Sequence, residues 1–406
     1  MANTGRADSS RKVRRNFILI CLGLVSAFMV QTMLLVSVPL AALDLGATPA
    51  LVGAILSAPH LLPLVLALPL AWIITRNGGR AAVIVAGLSL MLGAWLPLFV
   101  PGLMGLVLTQ LLVGTAHMVM ILAGQAIVSG LGTGKVLERY FGLYTTCISA
   151  GQLLGPLLAG WLLDLYGGSL TFGVTGAVAG FALISGICLT GSAREGYRVE
   201  RSITGFRAQL RLLQTHAGMQ VSIALTISVI FVLGAYGTFL PVYLESLSVS
   251  ATGIGVLLSL RALSSMVIRP FMSFSIQALG GRVRAMLISA IGAGLGLMFT
   301  GGSENMVFLG ALAVLIGIAS GISQPLSMVV LAETVPQAQR PSALGMRLMA
   351  NRAVQFLAPV CLGLMAEVLP YSVTFFSGGI VVMVLVLLLA SRIPAFIEAE
   401  TTRKRF

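Results

Sequence analysis

The sequence predicts an all-helical membrane protein in which twelve transmembrane helices form two similar six-helix bundles. Of the 406 residues, 57% are hydrophobic and only 9% are charged, and the mean hydropathy is +1.01. A soluble domain carries roughly a quarter charged residues, so the solvent of this chain is lipid. The second observation is an internal repeat with an offset of 203 residues, half the length of the chain. Its anchors are Gly114, Gly142, Gln152, Pro156 and Gly160, which recur as Gly317, Gly345, Gln355, Pro359 and Gly363.

The spans follow from the length of the apolar segments, since a membrane-spanning helix needs about 20 mostly apolar residues. The first apolar run, Phe17 to Leu40, follows four basic residues but is longer than the roughly 7–15 residues of a signal-peptide core. We therefore interpret it as a retained helix. The twelve predicted spans are 16–40, 50–74, 81–100, 103–130, 140–164, 170–191, 217–244, 252–277, 284–301, 306–331, 341–367 and 371–393.

The longest connection lies between the two repeats and is polar and basic. Within it, Ile203, Phe206, Leu210 and Leu213 have helical spacing, which predicts a basic amphipathic helix on the membrane surface. The predicted parts are a basic cytoplasmic tail 1–15, an N-terminal bundle 16–191, a linker 192–216, a C-terminal bundle 217–393 and a second tail 394–406.

The distribution of basic residues predicts the orientation. The chain has 25 Lys and Arg against 12 acids, a balance that could suggest nucleic-acid binding. The positive charge instead lies between apolar spans. Placing both termini in the cytoplasm puts every loop Lys and Arg inside and none outside, as the positive-inside rule requires. We expect a multi-pass, monomeric protein of a bacterial inner membrane. Its partner is the lipid bilayer, and we expect it to bind no nucleic acid.

Two short motifs carry a family resemblance. Arg76, Gly78 and Arg80 follow the second span, and Gly280, Gly281 and Arg282 follow the eighth. The fifth span contains the glycine and proline motif Gly151, Gly155, Pro156 and Gly160, and Pro359 repeats its proline. With twelve spans in two halves, the chain resembles the major facilitator superfamily over nearly its whole length. The span-five motif is similar to that of the drug:proton antiporter branch.

The resemblance implies alternating access and a set of gating residues. Where the family pattern has an Asp that takes part in closing the cytoplasmic gate, this chain has Thr75. Many family exporters have Arg where this chain has Gln110. The residues that the resemblance assigns to gating and conformational change are Arg76, Gly78, Arg80, Gly151, Gly155, Pro156, Gly160, Arg282 and Pro359.

Four arginines lie deep in the second repeat: Arg261 and Arg269 in the eighth span, Arg347 and Arg352 in the eleventh. No carboxylate lies equally deep, and a charge at bilayer depth costs about 2.5–3.5 kcal/mol on insertion scales. In one interpretation the arginines grip an anionic substrate. In the other they bond helix carbonyls, reach an acid at a span end or extend to the membrane surface. Position favours the first for Arg261 and the second for Arg347, and leaves Arg269 and Arg352 open.

Polar residues at helical spacing predict the lining of a central cavity, although such stripes also occur between packed helices. His60 and His117 lie near mid-span, and histidine titrates near physiological pH, so both are candidate proton carriers. The alternative is a neutral histidine hydrogen-bonded between helices. The predicted substrate-binding residues are Gln31, His60, Gln110, His117, Tyr236, Arg261, Arg269, Gln324, Asn351 and Arg352.

These features predict a secondary active transporter of a small organic molecule. We expect proton-coupled efflux of a drug-like, anionic or siderophore-type compound, with protons as the coupling ion and no metal or other cofactor. An importer of organic anions is the main alternative, and a channel is a further one. A polytopic membrane enzyme is poorly supported, because the sequence contains no catalytic constellation.

Overall fold

The computed structural model describes residues 2–131, 134–190, 217–335 and 339–390, which are almost entirely helical and contain no strand. The predicted amphipathic helix of the linker and the tail 394–406 lie outside these ranges. The described α-helices are α1 Ala2–Asp44, α2 Pro49–Asn77, α3 Gly79–Phe99, α4 Leu103–Ser129, α5 Gly134–Cys188, α6 Ala217–Ser246, α7 Ala251–Ile268, α8 Met272–Ala278, α9 Arg282–Thr300, α10 Met306–Thr334, α11 Arg340–Val368 and α12 Tyr371–Ala390.

The number of spans agrees with the sequence prediction. Within the described residues, eleven helical segments are long and apolar enough to cross a membrane. One of them, Arg139–Cys188, has 50 residues and is interrupted inside α5 by Gly167, whose φ of 76° and ψ of −178° are not helical. This positive φ suits glycine, which has no Cβ to clash with the backbone. The segment is therefore two spans joined at Gly167, and the all-helical, twelve-span class is confirmed.

The eighth predicted span is broken in the structure. The helix α7 ends at Ile268, a 3-10 turn occupies Arg269–Phe271, and α8 follows. Pro270 explains the break, because its ring removes a backbone N–H and clashes with the preceding helical turn. Arg269 consequently lies at a helix break, whereas Arg261 lies within the regular part of α7.

One pair of repeated glycines, Gly114 and Gly317, marks equivalent helix crossings in the two repeats. A Cβ placed on Gly114 of α4 would lie 2.2 Å from the carbonyl oxygen of Pro59 in α2. A Cβ on Gly317 of α10 would lie 2.4 Å from the carbonyl oxygen of Arg261 in α7. Neither crossing leaves room for any side chain, which explains why glycine occupies both positions.

The chain divides into two compact units. The first contains Met1–Thr48, Ala58–Glu200 and Leu244–Ser259; the second contains Pro49–Ser57, Arg201–Tyr243 and Leu260–Phe406. Each unit therefore holds most of one repeat together with the first turns of one helix from the other repeat. The first unit includes the first turns of α7, and the second includes those of α2. In both helices these first turns lie on the predicted outer side.

In the first unit, α7 packs directly against α5. A Cβ on Gly255 would lie 2.3 Å from the carbonyl oxygen of Pro156, and one on Gly160 would lie 2.3 Å from that of Ala251. The Ser259 hydroxyl donates a hydrogen bond of 2.7 Å to the Leu153 carbonyl. We name this contact the α5–α7 seam.

In the second unit, α2 packs against α11 in the same way. A Cβ on Gly53 would lie 2.4 Å from the carbonyl oxygen of Pro359, and one on Gly363 would lie 2.8 Å from that of Pro49. We name this contact the α2–α11 seam. The proline and glycine that repeat 203 residues apart thus form both seams.

We expect Gly255→Ala to destabilise the protein by about 1–3 kcal/mol, because the new methyl group overlaps the Pro156 carbonyl and forces α7 away from α5. Thermal unfolding of the purified protein in detergent measures this. Gly142→Ala is the matched control, since a Cβ there meets nothing within 4 Å. Equal melting temperatures for the two variants would contradict the tight packing of the seam.

Candidate functional site

In the second unit, an arginine and a tyrosine each have a buried polar atom without a hydrogen-bond partner among the described residues. Tyr236 of α6 is 1% exposed, and its hydroxyl has no hydrogen-bond partner among the described residues. Arg261 of α7 interacts electrostatically with it, and the Arg261 Nε is likewise buried without a partner in the described part of the chain. Both groups can donate hydrogen bonds, and the guanidinium adds a positive charge and has no acceptor of its own.

The helix α11 adds further polar groups to this unit. The Asn351 Oδ1 is buried and has no hydrogen-bond partner among the described residues. The neighbouring Arg352 donates a hydrogen bond of 3.1 Å to the amide oxygen of Gln355, one turn further along. A neutral amide leaves the charge of Arg352 uncompensated, and no ion pair to Arg352 or Arg261 occurs within the described ranges.

Arg347, one turn before Asn351, has quite different surroundings. It is 3% exposed, and its guanidinium donates to the Ser327 hydroxyl from Nε (3.0 Å) and Nη2 (2.7 Å). Its Nη2 also donates to the Gln324 carbonyl over 3.2 Å. These bonds tie α11 to α10, so Arg347 has the structural role that its position favoured.

The contrast between the arginines has an electrostatic meaning. A charged side chain held away from water is costly unless a counter-charge or hydrogen bonds offset the lost hydration. Arg347 has such bonds, and Arg282 at the start of α9 forms an ion pair with Glu333 near the end of α10. Within the described residues Arg261 has no ion pair, and its Nε has no hydrogen-bond partner. A guanidinium is suited to bind a carboxylate or phosphate in a forked geometry.

In the first unit, the predicted polar residues lie around the contacts of α1, α2 and α4. Gln110 and His117 of α4 are 3% and 8% exposed, and the His117 ring packs edge-to-face on Phe28 of α1 at 4.4 Å. His60 directly follows Pro59, the residue opposite Gly114. Gln31, one turn beyond Phe28, has a buried Oε1 without a hydrogen-bond partner in the described residues. The ring contact places His117 against α1 but does not decide between the two interpretations, and a substrate or proton role for these residues stays a prediction.

The helix α10 carries a polar stripe, and two of its four residues contact neighbouring helices; the stripe consists of Gly317, Ser320, Gln324 and Ser327. Gly317 abuts α7, the Ser320 hydroxyl donates to the Gly317 carbonyl over 2.9 Å, and Ser327 binds Arg347. The Gln324 carbonyl accepts from Arg347, while its side chain is half-buried. The contacts of Gly317 and Ser327 with neighbouring helices fit the helix-packing interpretation, and a cavity-lining role for the stripe stays a prediction.

The span-five motif divides its contacts between two helices. A Cβ on Gly151 would lie 2.6 Å from the Val25 carbonyl oxygen, and one on Gly155 would lie 2.7 Å from that of Met29, so both glycines pack on α1. Pro156 and Gly160 belong to the α5–α7 seam. The motif thus fixes α5 against its own repeat at one end and against α7 at the other.

The predicted gating residues near the end of α2 have local contacts. The Arg76 guanidinium lies 5.4 Å from the ring centre of Trp72, and Arg80 donates a hydrogen bond of 2.9 Å to the Ile187 carbonyl at the end of α5. Gly78 has a φ of 90°, which lets the chain turn between α2 and α3. A gating role for these residues stays a prediction.

Two acidic residues form contacts that the sequence interpretation did not assign. Asp164 of α5 accepts hydrogen bonds from the backbone N–H groups of Ala251 (2.9 Å) and Thr252 (2.8 Å) at the start of α7. Glu367 of α11 accepts one from the N–H of Ala50 (3.0 Å) at the start of α2. The repeat carried the signal, since Asp164 and Glu367 are 203 residues apart.

Comparison with known proteins gives a family and a fold. A sequence model of the Major Facilitator Superfamily matches residues 20–248 and 222–405. A bacterial homologue of the human lysosomal transporter Spinster, in an inward-facing and unoccupied conformation, is a similar solved structure with TM-score 0.75, 13% identity and coverage of 94% of this chain and 96% of that one. A comparison with curated proteins gave no match.

Two further similar structures are also transporters. The nucleoside transporter NupG has TM-score 0.78 and 14% identity over 93% of this chain and 99% of its own. A POT family transporter in complex with 5-aminolevulinic acid has TM-score 0.79 and 14% identity over 95% of this chain and 96% of its own. Identities this low show the fold alone.

We expect Arg261→Met and Arg347→Met to change stability in opposite directions. Removing the uncompensated charge of Arg261 should stabilise the protein, by less than the roughly 1–4 kcal/mol of apolar replacements at fully buried ion pairs, because Arg261 is half-buried. Removing Arg347 breaks three hydrogen bonds between α10 and α11 and should destabilise it by about 1–3 kcal/mol or more. Thermal unfolding in detergent without added anion measures both, and a loss of stability in both variants would contradict the contrast.

Proposed function

The chain belongs to the major facilitator superfamily, and on that premise we propose that it is a secondary active transporter that exports a small organic anion in exchange for protons. The family and the structural neighbours are transporters and not enzymes, and the chain is a multi-pass membrane protein. Substrate class, direction and coupling are the parts that we propose.

The observation that carries the substrate class is the environment of Arg261. It lies at the crossing of α7 and α10, interacts with the fully buried Tyr236, and has no carboxylate partner in the described part of the chain. An arginine at this depth is destabilising unless binding offsets the cost, so its presence favours a ligand that supplies negative charge. Carboxylates and phosphates fit the donor geometry, and acidic drugs and carboxylate or chelating metabolites carry such groups.

The position of Arg261 supports a transport site rather than a surface site. Substrates of two-repeat transporters bind near the membrane midplane, at positions related by the internal repeat. Arg261 and the Pro59–His60 pair occupy equivalent crossings, opposite Gly317 and Gly114 respectively. The offset of 202 residues between α2 and α7 pairs Arg261 with Pro59, and His60 is the next residue along α2. The two repeats thus present an arginine and a histidine near matching places, which suits one for the anion and the other for a proton.

Export and proton coupling rest on different features. The glycine and proline motif of α5 resembles that of proton-driven exporters, and this resemblance supports the outward direction. No Asp or Glu lies at mid-span in the sequence, so we assign the coupling proton to His60 or His117, whose ordinary titration range is close to physiological pH. The two repeats would rock in turn about the central site.

Transport in reconstituted vesicles tests the proposal. A panel of radiolabelled carboxylates and phosphates, with neutral and cationic drugs alongside, is measured with and without an imposed pH gradient. We expect at least one anion to move against its concentration gradient when protons flow the other way. Arg261→Ala should raise the KM for that anion about 10- to 100-fold, the effect of losing a charge-assisted hydrogen bond of about 1.5–3 kcal/mol.

Arg284→Ala is the matched control, because Arg284 is an exposed arginine of the same repeat at the predicted inner end of α9. It should leave the KM unchanged. Arg261→Lys separates charge from geometry, since lysine keeps the charge but loses the planar fork. Unaltered transport of every anion by Arg261→Ala, or transport of cations alone by the unaltered protein, would overturn the anionic assignment.

A further inference from the structure

The two acidic residues that bind helix starts form a symmetric pair. Asp164 lies near the end of the first span of α5 and accepts from the first turn of α7. Glu367 lies near the end of α11 and accepts from the first turn of α2. The acids are 203 residues apart, and the bonded N–H groups of Ala50 and Thr252 are 202 residues apart. The same contact therefore occurs twice, each time between an acid of one repeat and a helix of the other.

Each acid binds its helix at a position with a strong physical preference for negative charge. The first N–H groups of a helix have no partner inside the helix, and the helix dipole places partial positive charge there. Asp164 uses both carboxylate oxygens, at 2.9 and 2.8 Å. Both acids are exposed, so each bond is of moderate strength and can break without unfolding the helix.

The acids stand at one end of the two glycine seams. Gly255 and Ser259 continue the α5–α7 seam from the helix start that Asp164 binds. Gly53 continues the α2–α11 seam from the start that Glu367 binds. The two backbones of each seam are too close for a Cβ between them, so they fit together in one position. When the helices separate, the acid contact at the helix start must therefore break before the seam or together with it.

Negative charges near Asp164 oppose its contact with the start of α7. Glu245, at the end of α6, interacts electrostatically with both Asp44 and Asp164. Glu367 interacts with Tyr371, at the start of α12. The cluster of Asp44, Asp164 and Glu245 favours separation of these helix ends, while the bonds to α7 favour contact. The balance suits a contact that opens and closes.

We propose that Asp164 and Glu367 are a pair of latches that hold the α5–α7 and α2–α11 seams closed on the predicted outer side, and that both release together when the transporter opens there. This rests on the proposed transport function for its purpose, but not on the identity of the substrate. The acids act on the helix starts and touch no substrate, so they are positioning residues for the conformational cycle.

Buried cysteine reporters, two turns beyond the helix starts that the acids bind, test the latches. Ser57 of α2 and Ser259 of α7 are 3% and 2% exposed and lie 202 residues apart, at equivalent places two turns into their helices. Each is changed to cysteine in a background where Cys21, Cys147, Cys188 and Cys361 are replaced by alanine. The rate of maleimide labelling is measured on purified protein in detergent and divided by that of Ser248→Cys, an exposed reference position.

We expect Asp164→Ala and Glu367→Ala each to raise the labelling rate of both reporters about 2- to 5-fold, the range for losing a charge at an exposed helix start. If the latches act additively, the double variant should raise it about 4- to 25-fold. Asp44→Ala removes a like charge that opposes the contact on the same side, so it should not raise either rate. Asp164→Glu keeps the charge and should restore slow labelling.

Two outcomes would overturn the proposal. Unchanged labelling in both single variants would show that the acids do not hold the seams. A rise confined to the reporter beside the altered acid would show local fraying of a helix start rather than a shared release. Labelling needs no substrate, so its result does not depend on the transport assay. A failure of the transport proposal and a failure of the latch proposal can therefore be told apart.

Discussion

Close backbone contact at glycines is the constraint on which the rest of this structure depends. Lipid tails are as apolar as leucine, so helices in a membrane associate through tight packing and a few polar bonds. Here four such contacts, at Gly114, Gly317, Gly53 and Gly255, bring a helix within van der Waals distance of a neighbouring carbonyl. The crossings at Gly114 and Gly317 fix where His60 and Arg261 lie. The same packing therefore sets both the architecture and the candidate site.

The two repeats share this frame but differ in charge. The deep arginines all belong to the second repeat and the mid-span histidines to the first. Arg347 holds α10 to α11, whereas the Nε of Arg261 has no hydrogen-bond partner among the described residues and the guanidinium interacts with Tyr236. An anionic substrate would turn the destabilising arginine into a binding group, and an acid latch at each seam would let the frame open without loss of its packing. Substrate binding and conformational change would then use separate residues of one repeated plan.

The sequence was sufficient for features that depend on local composition or on the repeat. Apolar length predicted twelve spans, although it did not reveal that Pro270 would break the eighth. The role of Arg347 could not be predicted in detail, because its partner Ser327 is 20 residues away on another helix. The span-five motif could be found in the sequence, but the sequence did not show which of its residues contact α1 and which contact α7. Asp164 and Glu367 went unassigned because their partners are backbone N–H groups of distant helices, which carry no side-chain signature.

The most direct test of the anion site compares ligands that differ only in charge. Pairs of carboxylates and their primary amides have nearly the same shape, so the difference between them isolates the contribution of Arg261. Ligand-induced thermal stabilisation of the purified protein is measured for each pair, in the unaltered protein and in Arg261→Ala. The account predicts that at least one carboxylate stabilises the unaltered protein while its amide does not, and that Arg261→Ala abolishes the difference. Equal stabilisation by carboxylate and amide, or a carboxylate preference that survives in Arg261→Ala, would contradict it.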